Sequence, residues 1–95
     1  MMSIEEVRND IKKVDMELIK LLAKRMELVG LILEEKKRHG LPINDSLQNE
    51  QVLKRSMERA LELGLDTGAI KEIFQMVIQM SIDKQHELSG SSKLQ

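Results

Sequence analysis

A chain of 95 residues with one proline and 41% hydrophobic residues suits a single small domain, residues 1–95, with a core of modest size. Its charged residues, 33% of the total, nearly cancel at a net of -1, and Phe74 is the sole aromatic residue, so neither nucleic acid nor an anionic membrane is an expected partner. The absence of cysteine excludes disulfides and thiolate metal sites, and His39 and His86 stand too far apart to suggest zinc.

The first segment carries Ile4, Val7, Ile11, Val14, Leu18, Leu21, Leu28 and Ile32 at alternating steps of three and four, which predicts one long helix. Ser3 with Glu6 forms a plausible capping box, and His39-Gly40 followed by Pro42 ends the helix after roughly 35 residues, or about 50 Å. A monomer of this size cannot cover such a rod. The sustained heptad-like stripe therefore predicts a homodimer in which two long helices pack together. No apolar run is long enough to span a bilayer, and Met1 to Ile4 leads into charged residues rather than a signal-peptide core, so a soluble, cytoplasmic protein is expected.

A second helix is predicted from Asp45, where Asp45 and Gln48 fit a capping box, through Leu53, Met57 and Leu61 to Gly64. The third begins at Asp66 or Thr67 and places Ile70, Ile73, Phe74, Val77 and Ile78 on one face, which continues through Ser81 and Gln85. Residues 89–95 have the small, polar composition of a flexible tail. The expected fold is all-α, three helices per chain.

Three polar residues interrupt apolar stripes: Arg25 in the first helix, Ser81 and Gln85 in the third. Burying such groups without partners costs on the order of 1–3 kcal/mol each, and more for a charge. Two readings are open. Either Arg25 pairs with a carboxylate such as Glu50 or a glutamate of a partner chain to fix helix register while Ser81 and Gln85 bond across the core, or the three line a polar cavity for an anionic ligand. Arg8 and Lys36 also fall on the apolar side or its margin, separated by about 42 Å of helix. An antiparallel crossing near residue 20 would bring Arg8 of one chain beside roughly residue 32 of the other, between Arg25 and Lys36.

The stretch VRNDIKKVDMELIKLLAKRMELV, the Lys36 that follows Arg25 by eleven residues, the turn GLPIND and the segment FQMVIQMSIDKQ together resemble the all-helical chorismate mutases. The likeness runs from about residue 4 to 88 and rests on the ordered set Arg8, Arg25, Lys36, Asp45, Ser81 and Gln85. It implies three helices per chain intertwined into a homodimer, with chorismate rearranged to prephenate on the way to phenylalanine and tyrosine. It implies no cofactor or metal, because the reaction is a unimolecular pericyclic shift promoted by holding a reactive chair and stabilising charge on the ether oxygen. By the same resemblance Arg25, with Arg8 of the partner subunit, holds the two carboxylates, Ser81 assists, and Lys36 and Gln85 donate to the ether oxygen.

One part of the pattern departs from the family. Where an Arg-Glu pair commonly surrounds the substrate's ring hydroxyl, this chain has Gln48 and Asn49. Both can hydrogen-bond a hydroxyl, so altered recognition is expected; equally, both can be solvated first-turn residues. A lyase acting on isochorismate and a non-catalytic dimerisation or regulatory module are the alternative readings.

Overall fold

The computed structural model describes residues 1–90 and contains three helices, α1 (Ile4–His39), α2 (Ser46–Glu62) and α3 (Thr67–Leu88), with no strand among them. The capping box at the head of α1 is complete: the Ser3 hydroxyl accepts from the Glu6 amide at 3.2 Å and the Glu6 carboxylate accepts from the Ser3 amide. Glu5 and Glu6 in the first turn and Lys36 to His39 in the last complement the helix dipole. Gly40 ends the helix in the left-handed conformation, φ 64°, and the Leu41 amide returns to the Lys36 carbonyl at 2.8 Å. That reversal suits glycine and aims residues 41–45 back along α1.

Asp45 caps α2 through the Gln48 amide at 3.1 Å, but the Gln48 side chain does not return to the cap, so only half of the expected box forms. Asp66 caps α3 through the Ala69 amide at 3.0 Å. Of the tail expected from residue 89, Ser89 and Gly90 form an ordered turn, with the Ser89 amide on the Gln85 carbonyl at 2.9 Å. The rest, residues 91–95, lies outside the described residues.

Helix α3 packs against both α1 and α2, and the buried apolar residues are its Val77 and Ile78 with Val29 and Leu33 of α1 and Val52 and Ala60 of α2. On α3 the expected Val77, Ile78, Ser81 and Gln85 are buried, whereas on α1 and α2 the most buried positions lie one residue from those expected. On α2 the inward positions are Val52, Ser56 and Ala60, while Leu61 is 74% exposed. Small side chains allow close approach of α2 to α3, and Ser56 satisfies its hydroxyl on the Val52 carbonyl at 2.6 Å. On α1, Val29 and Leu33 turn inward, and the stripe from Ile4 to Ile32 is left uncovered.

The molecule is therefore long and thin, 57 × 24 × 23 Å, with a radius of gyration of 16.7 Å against about 12 Å for a compact domain of this length. No described helix is long and apolar enough to cross a membrane.

Candidate active site

Arg25 and Lys36 are eleven residues apart, three turns plus about 20°, and so share one face of α1. Ser81 and Gln85, one turn apart on α3, are 8% and 4% exposed. Their side chains form a continuous chain of hydrogen bonds. Arg25 donates to the Ser81 hydroxyl, which donates in turn to the Val77 carbonyl at 3.0 Å. The Gln85 amide donates to the Ser81 carbonyl at 3.2 Å and accepts from the Lys36 ammonium at 2.9 Å. Lys36 also donates to the Ile43 carbonyl in the turn after α1. No buried side-chain nitrogen or oxygen among the described residues lacks a partner.

These groups bound a pocket of about 390 Å³, within the range of roughly 300–1,000 Å³ typical of small-molecule sites. Val29, Val52 and Ile78 supply its apolar floor, and Asp45, Gln48 and Asn49 close one side from the head of α2. Of the residues singled out from sequence, seven meet here. Arg8 does not: it lies about 26 Å along α1 from Arg25 on an exposed stretch.

Charge in the pocket is uncompensated at close range. Burial first, then repulsion from Arg55, lowers the Arg25 pKa from its ordinary value. Burial likewise lowers the Lys36 pKa, partly opposed by attraction to Asp45. Neither cation has a carboxylate within ion-pair distance among the described residues, so the expected alternative of an Arg25–Glu50 pair is not formed within the chain. Glu35, also on the wall, is engaged by Arg38 at 2.9 Å and His39 at 3.5 Å.

Asn49 points partly elsewhere, its amide donating to Asn44 at 2.8 Å and fastening the turn that carries Ile43. Ser81 is not set up as a nucleophile. Its hydroxyl proton goes to a backbone carbonyl, its oxygen accepts from a guanidinium, and no base adjoins it. Donors are available instead: Lys36 uses two of its three N–H bonds and Gln85 one of its two. Sequence reasoning missed Arg55, although its seven-residue spacing from Gln48, past Val52, puts it on the same face of α2.

The fold and pocket thus define an all-helical protein with a cationic cavity suited to a small anion. The family model of chorismate mutase type II matches residues 7–86, and the chain belongs to that family. It is 30% identical to a chorismate mutase of Methanocaldococcus jannaschii over 76 residues, covering 80% of this chain and 77% of that protein. It is also 35% identical to a bifunctional chorismate mutase/prephenate dehydratase of Buchnera aphidicola subsp. Schizaphis graminum, over 85% of this chain and 21% of that protein. To a T-protein of Enterobacter agglomerans it is 33% identical, over 85% of this chain and 22% of the relative. The chain spans about a fifth of the length of the last two relatives.

Proposed function

We propose that the protein converts chorismate to prephenate as a cytoplasmic homodimer, with each site completed by Arg8 of the partner subunit. The observation that carries this reading is Arg25, oriented by Ser81 in a partly dry pocket and left without a carboxylate. A guanidinium so placed has its best counter-ion in a substrate carboxylate, gripped by two parallel bonds and strengthened by low local dielectric.

Dimerisation is favoured by the uncovered stripe of α1, where Ile4, Ile11, Val14, Leu18 and Leu21 are all more than half exposed. An antiparallel crossing of two such helices near residue 20 puts the partner subunit's Arg8 between Arg25 and Lys36, by the rise of about 1.5 Å per residue. The substrate's second carboxylate would then have its own cation.

The reaction breaks the ether C–O bond as a C–C bond forms within one molecule, and no proton is transferred. Catalysis requires the flexible dianion to be held in its reactive chair and the growing charge on the ether oxygen to be stabilised. The remaining N–H of Lys36 and the second N–H of Gln85 serve that oxygen. Ser81 acts through Arg25, because its own proton is committed to Val77. Gln48, whose side chain is free of the cap, and Asn49 and Asp45 border the space for the ring hydroxyl.

Purified protein incubated with chorismate, with absorbance followed and products identified, tests the reading. Prephenate from the wild type and a loss of about 100-fold or more in Arg25→Ala and Lys36→Ala are expected. A folded dimer that leaves chorismate untouched contradicts it, and release of pyruvate from isochorismate would identify a lyase.

A further inference from the structure

Arg55 is the only cation that α2 contributes to the pocket wall. Its neighbours one turn away, Gln51 and Glu58, make no bond to it, and among the described residues it has neither a hydrogen bond nor an ion pair. Two other helix-borne arginines do pair with a carboxylate three residues away, Arg38 with Glu35 at 2.9 Å and Arg59 with Glu62 at 2.7 Å, whereas Arg8, three residues after Glu5, does not. Arg25, on the same pocket, is also without a carboxylate.

We infer that Arg55 is a substrate-binding residue, a second guanidinium on the same chain that engages a carboxylate of the bound dianion together with Arg25. The inference rests on the mutase reading of the pocket. Two guanidiniums brought to one cavity repel each other, and Arg55 does lower the pKa of Arg25. An anion entering between them offsets that repulsion, which favours a negatively charged ligand over a neutral one. Because Gln48 and Asn49 are neutral, Arg55 also supplies the positive charge that the α2 side of the wall would otherwise lack.

The test uses the 95-residue protein and the variants Arg55→Gln, Arg55→Lys and, as a control for an exposed cation off the pocket wall, Lys54→Gln. Chorismate turnover, prephenate binding by calorimetry and the melting temperature of the ligand-free protein are measured together. Arg55→Gln is expected to raise KM for chorismate about tenfold with kcat within about threefold, and to weaken prephenate binding similarly. Its ligand-free melting temperature is expected to stay level or rise, because a repulsion has been removed. Arg55→Lys should recover part of the binding, and Lys54→Gln should match the wild type.

Wild-type KM and prephenate affinity in Arg55→Gln would overturn the inference, as would a loss of binding that tracks a lowered melting temperature and is no better in Arg55→Lys. Failure of the mutase reading shows separately, as a wild type that makes no prephenate. In that event, tighter binding of prephenate by the wild type than by Arg55→Gln still upholds Arg55 as an anion anchor, and equal or absent binding overturns it.

Discussion

The Lys36 ammonium donates to the Gln85 side-chain carbonyl at 2.9 Å, joining the last turn of α1 to the last turn of α3 across the mouth of the pocket. Because burial lowers the Lys36 pKa, the charged donor is lost at a lower pH than an ordinary lysine would lose it. Activity on chorismate should therefore fall on an alkaline limb whose midpoint lies below the usual lysine range, and Arg in place of Lys36 should remove that limb from the accessible range. For the ligand-free protein the sign is opposite. Between the lowered folded pKa and the unfolded one, the unfolded chain binds more protons, so stability rises with pH across that window and is level below it. Denaturant titrations at a series of alkaline pH values check this, with Lys36→Gln expected to flatten the rise.

Gln85 supports two tasks, holding Lys36 and offering an N–H to the pocket. Gln85→Ala should lower kcat by about 100-fold or more, as for the loss of a donor to a developing oxyanion, while KM changes little. The same change leaves a Lys36 N–H without its acceptor and the Ser81 carbonyl without one of its donors, so a stability loss of about 1–3 kcal/mol is expected in urea unfolding.

Ser81→Ala separates positioning from catalysis. The Arg25 guanidinium loses one oriented bond but keeps its charge, and the Val77 carbonyl keeps its place in the helix. An increase in KM of roughly fivefold, equivalent to about 1 kcal/mol, with little change in melting temperature, is the expected steady-state result.

The uncovered stripe of α1 makes a prediction about assembly. Leu18→Glu, at a position more than half exposed in the single chain, should cost little if the chain acts alone. In a dimer whose long helices cross near residue 20 it buries a charge, and sedimentation should show dissociation together with loss of helicity and activity.

Local signals made much of the fold legible. Ser3 with Glu6, Gly40, Asp45 and Asp66 each act through backbone groups within a few residues, and each ends or begins a helix where the sequence reading put it. The interruptions at Arg25, Ser81 and Gln85 were legible for a similar reason, since a polar side chain in an apolar arc must find a partner. What periodicity could not settle was which part of the arc faces which neighbour. Leu28 and Ile32 lie beside Val29 and Leu33 on one broad apolar surface, and only the latter pair is buried in the single chain. Arg55 was missed because an arginine two turns into an amphipathic helix looks like any solvated charge, and in the structure it stays exposed while lining the pocket. Arg8 stays outside the pocket of its own chain, so its part in the site depends on a second copy.

The most direct test of a shared mutase site is complementation between two inactive dimers. Arg8→Ala and Arg25→Ala are each expected to abolish prephenate formation as homodimers. When equal amounts are unfolded and refolded together, half the dimers pair unlike chains, and each of those holds one site with both arginines intact. Recovery of about a quarter of wild-type activity is the predicted result. A mixture that stays as inactive as its parents, with mixed dimers confirmed by mass spectrometry, would contradict a site built from two chains.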